Sequence, residues 1–215
     1  MHISEGILSA PVLLGGASLT AVGTMIGLKK LDLDRIMEVA MLTATFFVAT
    51  LIHVPIGPAS IHLVLSGLLG IVLGWACFPA IVIGLLMQAI FFQYGGLTVL
   101  GVNAFNMAFP AVLCFYLVRP LLTRTRTRPL AGFIAGSGTI LLSAICMALS
   151  LAFTDAGFLG TAKITILANI PIMVIEGFIT MFIVVFIDRV HPELLQGTHG
   201  VARKMRVPGD EDRHR

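Results

Sequence analysis

The chain has 215 residues, of which 57% are apolar and only 12% charged, whereas a soluble domain carries about 25% charged residues. Its mean hydropathy is +0.99, and no Asp, Glu, Lys or Arg occurs between Val39 and Val118. A stretch of that length accommodates several membrane crossings of about 20 residues each. The composition therefore excludes a soluble enzyme domain and a disordered chain. It predicts an all-α membrane protein that crosses the bilayer several times.

Seven apolar runs, separated by polar breaks, predict a bundle of about seven transmembrane helices. The predicted helices cover about 7–28, 36–54, 62–74, 77–94, 104–122, 129–153 and 164–187. The third is short for a bilayer crossing, so we expect it to be tilted, enclosed by protein or not fully spanning. Residues 1–195 are predicted to form one integral-membrane domain, and residues 196–215 a charged cytoplasmic tail.

The distribution of basic residues predicts the orientation of this bundle. The net charge is +3 and the pI about 9.0. Apart from Lys163, the Lys and Arg residues lie at the end of the first, fifth or seventh predicted helix or after it. Because basic loops stay in the cytoplasm, we expect the N-terminus outside and the C-terminus inside, with no nucleic-acid partner. The first helix lacks the basic start of a signal peptide, so we expect it to be retained. Met1 and His2 would then remain at the outer face.

Three histidines, His2, His53 and His62, are predicted to lie at that outer face. The amine of Met1 together with the amide and ring nitrogens of His2 can close two fused chelate rings around one metal ion. A further imidazole, from His62, would complete a square-planar set of four nitrogens, which suits nickel(II) or copper(II). Taken alone, His2 and His62 are each better explained as an ordinary polar residue at a terminus or helix end; taken together, they favour a metal site as much as the ordinary alternative. His53 is predicted to be structural or to orient a ligand.

A glycine-rich loop, residues 95–103, is predicted on the same side and ends at Asn103. Its glycines permit tight turns against a neighbouring segment. We therefore expect the loop to close over His62, with Asn103 and Ser60 as further candidates to support the metal ligands. An ordinary connection between two helices remains the alternative.

Glu176 lies near the middle of the last predicted helix, where a carboxylate is costly and marks a candidate functional residue. It is either a proton-coupling residue or a structural one, hydrogen-bonded to a group such as Asn169. The first possibility keeps open a rival function, a proton-coupled secondary metal transporter or channel. No Gly-x-x-x-x-Gly-Lys-[Ser/Thr] motif occurs in the chain, so ATP-driven transport would need an ATPase on a separate subunit.

Small residues at four-residue spacing let helices approach each other closely. The first predicted helix carries such a series, formed by Ala17, Ala21, Gly23 and Gly27. We expect this surface to contact another membrane protein.

Four motifs, in this order along the chain, resemble the CbiM/NikM group of membrane proteins. They are Met1-His2-Ile3-x-Glu5-Gly6-x-Leu8, Pro55-x-Gly57-Pro58-x-Ser60-x-His62-Leu63, Gly95-Gly96-Leu97-Thr98-x-Leu100-Gly101-x-Asn103, and Ile175-Glu176-Gly177 followed by Val190-His191-Pro192-Glu193-Leu194-Leu195. The resemblance covers nearly the whole chain and weakens after about Gln196.

The resemblance implies a substrate-binding subunit of an energy-coupling factor transporter for nickel or cobalt in a prokaryotic cell membrane. It implies metal ligation by the Met1 amine, the His2 amide and ring nitrogens, and the His62 imidazole. The implied partners are a transmembrane coupling subunit, a pair of cytoplasmic ATPases and a small accessory membrane protein. The chain itself would be no enzyme and would need no cofactor besides the transported ion. Gln93-Tyr94 departs from the cobalt-type pattern, in which an acidic residue often precedes the glycines, and this favours nickel.

Overall fold

A computed structural model describes residues 3–51, 53–56, 59–155, 157 and 159–196. Over those residues the chain forms nine α-helices and one two-stranded ribbon. The helices are α1 Ala10–Lys29, α2 Ile36–Leu51, α3 Ser66–Leu73, α4 Cys77–Phe92, α5 Leu100–Leu122, α6 Arg128–Thr154, α7 Leu159–Ala168, α8 Ile170–Val190 and α9 Glu193–Gln196; the strands are β1 His53–Ile56 and β2 Ala59–His62.

Five segments of the described chain are long and apolar enough to cross a membrane, which confirms the helical membrane protein that the composition predicts. They are Ala10–Lys29, Ser66–Phe92, Leu100–Leu122, Thr125–Thr154 and Ile170–Val190. The second of these meets the criterion by its length and composition, but it is not one straight helix, because it contains the turn between α3 and α4. Local sequence explains several of their ends. α1 stops at the paired lysines 29 and 30, and α6 carries Pro129 in its first turn, where proline costs no helical hydrogen bond.

The ribbon lies where the sequence predicts the end of the second helix and the start of the third. α2 ends at Leu51 rather than near 54, and α3 begins at Ser66 rather than at His62. Two prolines, Pro55 and Pro58, explain the error, because proline lacks an N–H and forces the preceding residue into an extended conformation. His53 and His62 therefore belong to strands, not to helix ends.

α3 and α4 form a hairpin whose turn is at Gly74, with φ +55° and ψ −124°. α3 starts beside Glu176, in the second turn of α8, and ends where Arg35 donates to the Val72 carbonyl, 3.3 Å away. α4 then runs back in the opposite direction and ends beyond Gln88, which donates to Thr50 near the end of α2. The prediction that the third helix is short and enclosed is confirmed, since every residue from Ser66 to Val72 is buried.

The predicted seventh helix is in fact two helices, so the prediction of one continuous segment from 164 to 187 is wrong. α7 ends at Ala168, and α8 begins at Ile170 with Pro171 in its first turn. The proline ring would clash with the backbone of a helix that continued through it. Asn169 therefore separates the two helices.

Several of the described basic residues lie at one end of the bundle. Lys30 lies 5.2 Å from the centroid of the Trp75 ring, and the Trp75 indole donates to the Tyr116 hydroxyl near the end of α5. Across the same end, Arg128 at the start of α6 pairs with Asp188 near the end of α8. This arrangement agrees with the predicted grouping of the basic loops, whereas the cytoplasmic location of that end stays a prediction. Residues 197–215, nearly all of the predicted tail, lie outside the described part of the chain.

Two of the four residues of the predicted partner surface on α1 pack inside the bundle, whereas Ala17 and Ala21 are exposed. A Cβ atom at Gly23 would collide with the Phe78 ring, and one at Gly27 would lie 2.6 Å from Pro79 Cδ. These two glycines let α1 pack closely against α4. The expectation that they meet another protein is therefore wrong.

Candidate metal-capture site at the N-terminal segment

The predicted ligands fall on two segments of the chain. Met1 and His2 lie outside the described residues, and the description begins at Ile3. His62 is the last residue of β2, and the antiparallel register pairs it with His53, the first residue of β1. Ser60 also lies on β2, opposite Pro55. The ribbon thus brings the backbones of two histidines, nine positions apart in sequence, side by side.

Asn103 holds the main chain of Ile3. The Ile3 N–H donates to Asn103 Oδ1 at 3.0 Å, and Asn103 Nδ2 donates to the Ile3 carbonyl at 3.1 Å. Both residues are almost fully buried, with exposed fractions of 2% and 4%. A buried side-chain amide that satisfies both polar groups of one residue defines the position of that residue closely. Asn103, one of the predicted supporting residues, therefore fixes the chain immediately after His2.

Glu5 forms a second connection, to the glycine-rich loop. Its Oε1 accepts from the Thr98 N–H at 3.0 Å and from the Thr98 hydroxyl at 3.1 Å. These bonds, the backbone one first, lower the pKa of the Glu5 carboxyl. Gly96, with φ +123°, lies so close to Glu5 that a Cβ atom there would overlap its side chain. The loop is thus shaped to receive Glu5, a contact that the sequence analysis did not predict.

Apolar side chains complete the docking of the N-terminal segment. Ile3 and Leu8 are buried in a cluster with Val99 and Val102 of the loop and α5, and with Leu151 of α6. The Ser9 N–H is also 3.4 Å from the Thr154 hydroxyl at the end of α6. Residues 3–9 are therefore anchored by apolar burial and by hydrogen bonds to two helices and to the loop between α4 and α5.

A narrow crevice lies beside this anchor. It is lined by Asn103, Asn106, Met107, Ser143 and Met147. Asn106 exchanges hydrogen bonds with Ser150 at 3.2 and 3.3 Å, whereas the Ser143 hydroxyl has no hydrogen-bond partner within the described structure. Polar side chains thus continue inward from the N-terminal segment between α5 and α6.

Glu176 contacts the segment that follows the ribbon. Its Oε1 accepts from the N–H groups of Val64 and Leu65, the latter at 3.0 Å, and its Oε2 lies 3.1 Å from the Leu65 nitrogen. Leu65 is the N-cap residue of α3 and makes no side-chain capping bond. Glu176 therefore binds the two backbone amides that directly precede the first turn of α3. These contacts favour the structural role over proton coupling, with backbone amides rather than Asn169 as the described partners.

The charges around this region limit the chemistry of a metal site. Within the described residues, no group of three or more His, Cys, Asp or Glu side chains is placed to hold a metal ion. Glu5, the acidic residue nearest the N-terminus, is engaged with Thr98. A calcium or magnesium site needs several oxygen ligands, and the described side chains do not form such a set.

A family model described as "Cobalt uptake substrate-specific transmembrane region", CbiM, matches residues 2–194 of the chain. A putative metal transport protein of Haemophilus influenzae is 40% identical over 204 residues, which cover 92% of this chain and 98% of the relative. A fused nickel transport protein, NikMN, of Rhodobacter capsulatus is 29% identical over 240 residues. The match covers all of this chain and 67% of the relative. A crystal structure of a transition metal transporter matches with a TM-score of 0.74 and 26% identity, covering 96% of this chain and 100% of that one.

Proposed function

The chain belongs to the CbiM family, the transmembrane components of cobalt uptake, and from that premise we propose that it captures nickel(II), or cobalt(II), at the outer face of the cell membrane for ATP-driven import. It is a multi-pass membrane protein and a component of a metal transporter. In the proposal, the Met1 amine, the His2 amide and ring nitrogens and the His62 imidazole replace water around the ion.

The observation that carries this proposal is the pair of hydrogen bonds between Asn103 and Ile3. A chelate built from a chain terminus gains affinity only if that terminus is held in place, because ordering a free end costs conformational entropy. Asn103 and the Glu5–Thr98 contact meet part of that cost before the ion arrives. Contacts with α5 and with the loop before it therefore hold the segment that directly follows the proposed ligands.

The donor set also fits a region without free carboxylates. Nickel(II) accepts four nitrogens in a plane, and a deprotonated amide supplies negative charge. Protons must leave the amide and the imidazoles, so capture weakens as the pH falls. The membrane potential favours inward movement of a dication by about 4.6 kcal/mol per 100 mV. Release from a tight site still needs work, which ATP hydrolysis on other subunits would supply.

The proposed partners are a transmembrane coupling subunit, a pair of cytoplasmic ATPases and a small accessory membrane protein. The relative from Rhodobacter capsulatus is a fused protein, and the present chain matches only 67% of it. That relative therefore joins a region like this chain to a further segment in one polypeptide. Such a fusion supports the proposal that this chain works beside other membrane components.

The experiment is to insert three glutamines between Met1 and His2 and to measure nickel binding to the purified full chain by calorimetry. The insertion moves the His2 nitrogens too far along the chain to close fused chelate rings with the terminal amine, so we expect most of the affinity to be lost. Three glutamines added after Arg215 are the matched control and should leave binding unchanged. Wild-type affinity in the first variant would refute the amine chelate.

A second pair of variants tests the imidazole. His62→Ala should lose most of the nickel affinity, whereas His53→Ala should lose less, because it removes a neighbour of the proposed ligand rather than the ligand. Equal effects of the two substitutions would contradict the assignment of His62.

A further inference from the structure

Glu176 holds the short segment that joins the ribbon to α3. The carboxylate is fully buried, and it accepts from two successive N–H groups, those of Val64 and Leu65. Leu65 has φ +54°, in the left-handed region that side-chain-bearing residues rarely adopt. An unfavourable backbone conformation persists only where the surroundings determine it. Glu176 is the side chain whose contacts do so here.

The held segment begins only two residues after His62. Because two residues span at most about 7 Å, fixing the Val64 nitrogen restricts where the end of β2 can lie. The backbone around Glu176 is itself closely packed against α6. Gly136 of α6 packs against the Glu176 carbonyl, and Gly177 packs against the Phe133 ring. The end of β2 is therefore tied to the packed interface of α6 and α8.

We propose that Glu176 is a positioning residue for the metal site, which sets the place of His62 by binding the backbone of Val64 and Leu65. This inference rests on the proposed function, because it assumes that His62 is a ligand. Glu176 is not itself a ligand, since it is buried with its oxygens directed at amide groups. Nickel capture then depends on two separate anchors, Asn103 for the N-terminal donors and Glu176 for the imidazole donor.

The test is a double-mutant cycle on the full chain, with nickel(II) alone as the probe and calorimetry as the readout. Glu176→Ala removes the acceptor of the Val64 and Leu65 amides, and we expect nickel affinity to fall about tenfold or more, as when residues that orient a ligand are removed. In a chain that already carries His62→Ala, the same substitution should cause no further loss. A general loss of folding would instead lower the residual binding in both backgrounds.

Thr180→Val is the matched control. Thr180 is one turn further along α8, is fully buried, and its hydroxyl has no hydrogen-bond partner within the described structure. Its replacement should leave nickel affinity unchanged. If Glu176→Ala does not yield folded protein, Glu176→Gln and Glu176→Asp replace it. Gln keeps an acceptor oxygen at the same reach and should stay close to wild type, whereas the shorter Asp should bind about tenfold more weakly.

The outcomes separate the two proposals. If His62→Ala binds nickel normally, the proposed function fails at this ligand and the positioning role fails with it. If His62→Ala is weakened while Glu176→Ala, or Glu176→Asp, binds like the wild type, the positioning role alone is overturned. An equal loss from Glu176→Ala in both backgrounds would also overturn it.

Discussion

The side-chain amide of Asn103 and the main chain of Ile3 satisfy each other, donor to acceptor in both directions, at 3.0 and 3.1 Å. One hundred positions of sequence separate the two residues. The pairing means that the first turn of α5 sets the position of Ile3, the residue that follows the proposed donors Met1 and His2.

Asn103→Ala removes both hydrogen bonds to the main chain of Ile3 and so frees the segment that follows the proposed donors Met1 and His2. We expect nickel affinity to fall about 10- to 100-fold, the usual effect of removing a residue that orients a metal ligand. Asn106→Ala is the control, because Asn106 lies one turn away and bonds to Ser150 instead. Calorimetry on both variants gives the comparison, and similar losses in the two would contradict the role of Asn103.

The Glu5 carboxylate predicts a particular pH dependence. Its pKa is lowered from the ordinary value of 4.5, first by the Thr98 amide and then by the Thr98 hydroxyl. A lowered pKa means that the contact stabilises the folded state fully above 4.5 and is lost as the pH falls below that value. Between about pH 6 and 8, where imidazoles titrate, Glu5 stays ionised. Glu5→Gln should therefore weaken nickel binding without changing its pH slope in that window. A changed slope in a binding titration would show that Glu5 itself titrates there.

The pair formed by Arg128 and Asp188 is a stability element at the basic end. Its side chains are only 8% and 15% exposed, and Arg128 also donates to the Leu122 carbonyl at 2.9 Å. Asp188→Ala leaves a buried guanidinium uncompensated, so we expect a loss of about 3 kcal/mol in the free energy of unfolding. Glu38→Ala breaks the more exposed pair with Arg35 and should cost about 0.5 kcal/mol or less. Unfolding of both variants in detergent measures the difference, and equal costs would contradict it.

Gly67 permits the close contact of α3 with α6. A Cβ atom there would lie 2.6 Å from the Ala135 carbonyl oxygen, a backbone atom that cannot move aside cheaply. Gly67→Ala should therefore destabilise the bundle by about 1–3 kcal/mol, as overpacking does. Gly15→Ala, where no atom lies within 4 Å of the added carbon, should be neutral. A Gly67 variant as stable as the Gly15 variant would show that the helices separate easily.

Helix positions followed from the sequence where charge and proline mark the ends. The predicted sixth helix, 129–153, agrees with α6 within one residue at each end, since Arg128-Pro129 begins it. The two strands of the ribbon were not predicted from the sequence. Apolar residues continue on both sides of Pro55 and Pro58, and such runs are also typical of helices. Strand pairing depends on a partner that a local pattern does not contain.

The candidate site was predictable in its residue types but not in its contacts. Glu176 stood out because a carboxylate is costly in an apolar bundle, and Asn103 stood out because it ends the glycine-rich loop. Their partners are main-chain groups of Ile3, Val64 and Leu65, and no side chain at those positions signals a backbone hydrogen bond. Thr98 and Gly96 were likewise recognised as loop residues but not as the contacts of Glu5.

α3 is eight residues long, about 12 Å, and side chains of two other helices or turns bind its opposite ends. Glu176 accepts from the N–H groups at its start, and Arg35 donates to the Val72 carbonyl at its finish. The two contacts lie at opposite ends of one short helix, so α3 joins the segment that follows the ribbon to the basic end of the bundle. Loss of either contact therefore frees one end of α3, while the other contact still holds the opposite end.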